Sequence, residues 1–228
     1  MSIFKRKIDE NSKEDLEELD DLEEELYSAD TKKKVKKKRV RTIRDLAFCG
    51  MFSALIAVGA FIKIPMYPVP ITLQTFFVGL AGILLGSKYG AMSVGIYIVL
   101  GLSGLPIFTQ GGGPSYVFIP TFGYIIGFLF GAFLSGFIVE KAKKKNFFVF
   151  LLAQVAGLVV IYFVGVVYFY CIRNFYIKTD TTLWFVILNC FIVFILGDVA
   201  CSALGAVIGE RLRKILPHVF HSGLSNLD

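Results

Sequence analysis

One acidic residue, Asp198, lies inside a long apolar segment near the end of the chain, in the sequence FILGDVACSAL. An ionised carboxylate near the centre of a bilayer costs about 2.5–3.5 kcal/mol on insertion scales, so such a residue usually faces a cavity or a partner. No Lys or Arg lies within one helical turn of it in the sequence. Its partner must therefore be another helix, a ligand or water. A protonated Asp198 that hydrogen-bonds between helices is the structural alternative.

A second candidate is the segment 104–128, which separates two long apolar runs and is rich in glycine, proline and aromatic residues. Lipid offers no hydrogen bonds to backbone amides, so this segment must lie outside the bilayer or line a cavity walled by protein. Its aromatic side chains supply apolar walls and its Thr and Gln side chains supply hydrogen-bonding groups: Phe108, Tyr116, Phe118, Phe122, Tyr124, Thr109, Gln110 and Thr121. This mixture is typical of a small-molecule pocket. An ordinary interfacial loop is the alternative.

The elements that position these residues are predicted to be membrane helices. The chain has 228 residues, of which 55% are hydrophobic, and its mean hydropathy is +0.67. Such values are typical of polytopic membrane proteins. Six apolar runs, 46–62, 69–85, 89–105, 117–139, 147–171 and 183–209, each approach the roughly 20 residues that a spanning helix needs. We therefore predict an all-α integral membrane protein, with a compact bundle of six transmembrane helices in residues 44–215.

Basic residues set the predicted orientation. Lys and Arg concentrate at 32–44, 141–145 and 211–214, whereas the opposite loops carry only Lys63, Arg173 and Lys178. The positive-inside rule then places both termini in the cytosol of a multi-pass protein of the cell membrane. Residues 1–43 are predicted to form a charged flexible cytosolic tail without a signal peptide, and residues 216–228 a short C-terminal tail. The only dense basic run adjoins a membrane helix, so nucleic-acid binding is not predicted.

Two further patterns concern ligand and partner. The segment KIPMYPVPITLQ, residues 63–74, holds three prolines that keep it extended, on the same outer side as 104–128. Two irregular loops on one side favour a pocket. In the first run, small residues recur at three- and four-residue steps: Ala47, Gly50, Ser53, Ala54, Ala57 and Ala60. Such a face allows close helix approach, either within this bundle or to a partner membrane protein.

Several classes of chemistry are not predicted. The four cysteines lie in apolar runs without CxxC spacing, so no metal site or disulfide is expected. No GxxxxGK[ST] phosphate loop occurs, so the chain is not expected to hydrolyse ATP. No Ser–His, paired-Asp or HExxH arrangement lies within the predicted helices, and an intramembrane enzyme is therefore disfavoured.

The segments PVPITLQ, GLPIF, PTFGYIIGF and LGDVACSALGAVIG, in this order, resemble the BioY family. Its members are the biotin-specific substrate-binding (S) components of energy-coupling factor transporters. The resemblance runs from about the first predicted helix to Leu212. It implies a six-helix membrane bundle that binds biotin on its outer side as substrate, with no cofactor. It also implies a membrane-embedded coupling protein and two cytosolic ATPases as partners.

The resemblance also implies roles for single residues. Asp198 is predicted to accept the ureido N–H groups of biotin. The remaining ligand contacts are predicted for Gln74, Gln110 and Thr121, which bind the carbonyl or carboxylate, and for Phe108 and Tyr124, which stack on the bicyclic ring. The coupling protein is predicted to dock on Gly50, Ala54 and Ala57.

The sequence departs from the family in three places. Cys201 stands where members commonly have Lys, three residues after the Asp of the last helix. Gly111 to Gly113 stand where some members have an Asn, and Phe122 replaces the first Gly of PTGGY. Two other readings therefore stay open, namely an S component for a different small ligand and a self-sufficient biotin carrier.

Overall fold

A computed structural model describes residues 43–66, 68–179, 181–188 and 193–215 of the chain. The predicted N-terminal tail, apart from residue 43, and the predicted C-terminal tail lie outside these ranges. So do residues 189–192 within the predicted sixth run. The helices pack against one another within the compact unit Asp45–Asp228.

The described chain is mostly helical. Helix α1 spans Ile43–Phe61 and is followed by a small antiparallel hairpin, in which β1 (Lys63–Ile64) pairs with β2 (Ile71–Thr72). The remaining elements are α2 (Gln74–Leu102), a 3₁₀ helix (Pro114–Phe118), α3 (Phe122–Lys141), α4 (Phe147–Cys171) with a π-helical turn (Ile172–Tyr176), α5 (Leu183–Ile187) and α6 (Val193–Ile215). Among the described residues, four helices are long and apolar enough to cross a membrane: α1, α2, α3 and α4 with its π-helical turn.

Helix α2 reverses direction at Gly86. Gly86 has φ 86° and ψ −179°, a conformation that side chains other than glycine rarely adopt. Gln74 Nε2 lies 2.8 Å from the Tyr97 hydroxyl, although these residues are 23 positions apart. On a straight helix that separation would be about 34 Å. A Cβ added to Gly90 would lie 2.9 Å from the Gly82 Cα. Residues 74–85 and 87–102 therefore pack side by side, and they correspond to the second and third predicted runs.

Charged side chains from two other helices cap this reversal. The Glu140 carboxylate of α3 accepts hydrogen bonds from the Ser87 backbone N–H and hydroxyl, both at 2.7 Å. Arg213 of α6 donates from Nη2 to the Ile83 carbonyl at 2.8 Å. An anion at the first amides of a helix and a cation at the last carbonyls both satisfy orphan backbone groups and suit the helix dipole. The reversal is thus tied to α3 and α6.

Small residues let α3 approach both of its neighbours. A Cβ added to Gly127 would lie 2.8 Å from the Ile161 carbonyl oxygen of α4. A Cβ added to Gly82 of α2 would lie 2.6 Å from the Ala132 carbonyl oxygen. The Ser135 hydroxyl donates to the Ala153 carbonyl at 2.9 Å. The small residues that the sequence places on these helices therefore serve packing inside the bundle.

Helix α1 buries one side and exposes the other. Cys49, Phe52, Ile56 and Ala60 are at most 2% exposed, whereas Met51, Val58 and Phe61 are exposed large apolar side chains. Its small residues divide between the two sides. Ser53 and Ala60 are buried, Gly50 and Ala54 are exposed, and Ala57 is half-buried against the core.

Candidate functional site

A cavity opens between the β2–α2 segment, the loop before α3, and helices α3, α4 and α6. It contains about 580 Å³ of space free of protein atoms, part of it open to solvent. Its lining combines apolar and hydrogen-bonding side chains: Val69, Pro70, Ile71, Thr72, Gln74, Thr75, Thr109, Tyr116, Thr121, Tyr124, Ile125, Phe128, Ile161, Tyr162 and Asp198. Mostly apolar walls with a few convergent polar groups are the usual composition of a small-molecule site.

Asp198 forms the polar end of this cavity. Its side chain is 7% exposed, and both of its oxygens accept hydrogen bonds from hydroxyls. Thr75 Oγ1 donates to Oδ1 at 2.9 Å, and the Tyr162 hydroxyl donates to Oδ2. Within the described part of the chain, no Lys or Arg pairs with this carboxylate. Each oxygen of a carboxylate accepts about two hydrogen bonds, so Asp198 keeps acceptor capacity for a ligand.

Gln74 is held in place at the first turn of α2. Its side chain is 3% exposed, and its Nε2 donates to the Tyr97 hydroxyl at 2.8 Å. The Tyr97 hydroxyl in turn donates to the Ile107 carbonyl at 3.1 Å. Thr72 Oγ1 donates to Gln74 Oε1 at 3.3 Å. The amide therefore lines the cavity in one fixed orientation and connects α2 to the loop that follows it.

Thr121 and Tyr124 enter the cavity from the start of α3. The Thr121 hydroxyl oxygen is buried and has no hydrogen-bond partner among the described residues. Buried polar groups are nearly always paired, and an unpaired one costs about 1–3 kcal/mol. A polar group of a ligand would supply the missing partner. The Tyr124 ring lies edge-on to the Tyr162 ring, with centroids 6.2 Å apart.

Phe108 and Gln110 do not line the cavity. Phe108 is 2% exposed, and its ring centroid lies 5.3 Å from that of Tyr97 and 4.6 Å from that of Tyr116. The ring packs directly over Gly101, where an added Cβ would lie 2.1 Å away. Gln110 is exposed at the tip of the loop. Direct ligand contact by these two residues stays a prediction.

The glycines of the loop place two other hydroxyls at the cavity. The Gly113 N–H donates to the Gly101 carbonyl at 2.8 Å, and a Cβ added to Gly112 would lie 2.1 Å from the Leu105 carbonyl oxygen. The loop therefore folds tightly onto the end of α2. This brings the Thr109 and Tyr116 hydroxyls to 3.0 Å from each other on the cavity wall.

Comparison with known proteins identifies the family. The sequence model of the BioY family matches residues 31–218. The chain belongs to the BioY family.

Two relatives and one solved structure illustrate this membership. A protein of Lysinibacillus sphaericus named "Probable biotin transporter BioY" is 44% identical over 170 residues, which cover 75% of this chain and 87% of the relative. The "Biotin transporter BioY" of Thermotoga maritima is 42% identical over 174 residues, which cover 76% and 98%. A crystal structure described as the "S-component for biotin from an ECF-type ABC transporter" superposes with a TM-score of 0.66 at 36% identity, covering 76% of this chain and 92% of that one. This BioY protein is thus a multi-pass protein of the cell membrane.

Sequence reasoning missed two side chains that hold Asp198. Thr75 directly follows Gln74 in the polar start of α2, so the prediction of Gln74 as a ligand residue already indicated its position. Tyr162 lies within an apolar run in which two further tyrosines occur, and nothing in the spacing distinguishes it. The sequence offered only the general rule that a buried tyrosine hydroxyl usually needs a hydrogen-bond partner. Cys201, which replaces the commonly found Lys, is half-buried and does not line the cavity of this BioY protein.

Proposed function

We propose that this chain is the biotin-binding membrane subunit of a vitamin-uptake system that partner ATPases energise. The observation that carries the proposal is the buried Asp198 carboxylate, which is oriented by Thr75 and Tyr162 at the end of a largely apolar cavity. The names of the relatives, which are biotin transporters, supply the ligand. The family is one of transporters, so the protein is not an enzyme and its cavity residues bind without catalysing a reaction.

Biotin combines a ureido ring, an apolar thioether ring and a chain that ends in a carboxylate. The two ureido N–H groups donate to Asp198, which retains acceptor capacity. The thioether ring and chain lie against the apolar walls at Ile125, Phe128 and Ile161. The Thr121 hydroxyl forms a hydrogen bond with a polar group of the ligand. The edge-to-face pair of Tyr124 and Tyr162 limits the width of the cavity.

The same proposal includes six membrane segments with both termini in the cytosol. The two halves of α2 count as separate segments, because they pack side by side after the reversal at Gly86. The basic side chains of the α3–α4 connection and of the α6 end then lie on the cytosolic side. The β1–β2 hairpin and the glycine-rich loop lie on the outer side, where the cavity opens.

The exposed side of α1 is the proposed docking face for a membrane-embedded coupling protein, which works with two cytosolic ATPases. Ala54 is exposed, and a Cβ added to Gly50 would meet no atom within 4 Å. Two small exposed residues one turn apart allow another helix to approach closely. Ala57, which is half-buried, lies at the edge of this face.

Binding and transport are tested separately. Purified protein in lipid nanodiscs is titrated calorimetrically with biotin, with thiamine as an unrelated vitamin control. The same protein in liposomes is then assayed for uptake of labelled biotin with and without the coupling protein and ATPases. We expect binding of biotin alone, and accumulation only with the partners and ATP. Accumulation without them identifies a self-sufficient carrier, and absence of biotin binding identifies a different ligand.

The docking face is tested with Ala54→Trp. This variant should lose both co-purification of the coupling protein and biotin uptake, while biotin affinity stays that of the wild type. Val159→Trp, at an exposed position of α4, is the control and should retain all three properties. If Ala54→Trp still co-purifies its partner, the docking face lies elsewhere.

A further inference from the structure

The charges of the cavity are unevenly distributed. Among the described residues that line it, Asp198 is the only Asp, Glu, Lys or Arg, and the other polar groups are hydroxyls and one amide. A second carboxylate close to Asp198 would be disfavoured by like-charge repulsion. The carboxylate end of a bound ligand must therefore lie away from Asp198.

Lys63 lies on the side of the β1–β2 hairpin that faces the cavity. It is paired directly with Thr72 across the two strands. Side chains of directly opposite residues project from the same face of an antiparallel pair. Thr72 lines the cavity, and its hydroxyl bonds to Gln74, which also lines it. The Lys63 side chain therefore starts on the cavity face of the hairpin.

The ammonium group of Lys63 reaches across the cavity mouth. Its Nζ donates to the Thr109 backbone carbonyl at 2.6 Å, in the glycine-rich loop, and Thr109 lines the cavity. Lys63 is exposed and makes no ion pair with the described residues. An ammonium group has three donors, of which this bond uses one. Two donors and a full positive charge remain available at the rim.

We propose that Lys63 binds the carboxylate of the ligand at the rim, so that biotin lies with its ureido ring at Asp198 and its carboxylate at Lys63. This inference rests on the proposed function, because it concerns the orientation of the same ligand. It makes Lys63 a specificity-determining residue that selects ligands with a free carboxylate. The ligand would also contact a residue that already connects the β1–β2 hairpin to the glycine-rich loop at the cavity mouth.

The test compares two ligands on three proteins. Biotin and biotinamide, in which a neutral amide replaces the carboxylate, are titrated calorimetrically into wild type, Lys63→Met and the control Lys178→Met. We expect wild type to prefer biotin roughly tenfold, as a hydrogen-bonded charge pair predicts. Lys63→Met should bind both ligands equally, at the wild-type affinity for biotinamide. Lys178→Met, in the α4–α5 connection, should keep the wild-type ratio.

A preference for biotin that Lys63→Met retains would overturn the proposal, as would equal wild-type affinity for the two ligands. Either result leaves biotin binding itself intact. If wild type binds neither ligand, the proposed function fails instead. Lys63→Arg keeps the charge and should keep the ratio. It provides a folded variant if Lys63→Met lowers the melting temperature too far, and a loss of preference in Lys63→Arg at wild-type stability would also contradict the proposal.

Discussion

Two carboxylates of this bundle, Glu140 and Asp198, each accept two hydrogen bonds from the chain, but their surroundings differ. Both oxygens of Glu140 bond to the same residue, Ser87, at the start of a helix, and a Cβ added to Gly86 would lie 2.4 Å from Oε1. The oxygens of Asp198 bond to hydroxyls on two different helices and border a cavity. Hydrogen bonding within the bundle is common to both carboxylates, and only the one beside free space is a candidate for ligand binding.

The largest effect is expected from Gly86→Ala, which disrupts the contact between Glu140 and Ser87 at the reversal of α2. The backbone conformation of Gly86 costs about 1–3 kcal/mol for other residues, and the new methyl group would also displace Glu140 from Ser87. We expect a large fall in melting temperature in detergent, with unchanged biotin affinity in the protein that remains folded. Gly95→Ala is the control, because its nearest neighbouring atom would be 3.8 Å away. Equal stability of the two variants would show that the reversal does not need glycine.

Neutralising each carboxylate in turn tests the comparison between Asp198 and Glu140 directly. Asp198→Asn should weaken biotin binding by about 1–3 kcal/mol, because one acceptor of the ureido group is lost. Its melting temperature without ligand should stay the same or rise, since neutralising a carboxylate within the membrane removes a cost. Glu140→Gln should show the reverse pattern, with lower stability and unchanged affinity. Calorimetry and melting curves on both variants decide, and unchanged affinity with a large loss of stability in Asp198→Asn would make Asp198 a link between helices.

A smaller effect is expected from Tyr162→Phe, which removes one of the two donors that orient Asp198. Biotin affinity should fall by about 0.5–1.5 kcal/mol, the usual net contribution of one hydrogen bond. Tyr168→Phe is the matched control on α4, because its hydroxyl bonds to the Val117 carbonyl outside the cavity lining. It should retain the wild-type affinity in the same titration. Equal losses in the two variants would point to a general loosening of α4.

The smallest effect is expected from Thr121→Val, which removes the unpaired hydroxyl of the cavity. Without ligand, the melting temperature should stay the same or rise, because an unsatisfied buried polar group disappears. Biotin affinity should fall by less than about 1 kcal/mol. Ser135→Ala provides the contrast, since its hydroxyl already donates to the Ala153 carbonyl and its loss should lower stability alone. A fall in the unliganded stability of Thr121→Val would mean that the hydroxyl has a partner within the protein.

The sequence predicted much of the fold because its apolar runs are long and their interruptions are polar or contain proline. The break between the second and third runs falls at Gly86, and the prolines before Ile71 delay the start of α2 to Gln74. The ends of other helices were predicted less accurately. Helix α4 continues into a π-helical turn to Tyr176, and α6 extends to Ile215, whereas the predicted runs end at residues 171 and 209. Backbone hydrogen bonding at such points is not encoded in hydropathy.

Four of the six predicted ligand residues line the cavity: Gln74, Thr121, Tyr124 and Asp198. They share a simple property, since each is a polar or aromatic side chain at a helix start or within an apolar helix. The position of Phe108 depends on its contact with Gly101, and that of Tyr162 on the rotation of α4 towards α6. Both are packing contacts between different elements of the fold. Residue type and spacing within one segment do not determine them.

The reversal at Gly86 also sets the depth at which a ligand would lie in the proposed site. Residues 74–85 extend only about 18 Å, against about 30 Å of hydrocarbon. Residues 78–84 are buried, so surrounding helices shield this short segment from lipid. In the proposed orientation, with the Gly86 end at the cytosolic side, the Gln74 end stops part-way through the membrane thickness. A ligand bound as proposed, beside Gln74 and Thr75, would then have travelled part of the distance before any ATP is consumed, and the energised step would move it only the remainder.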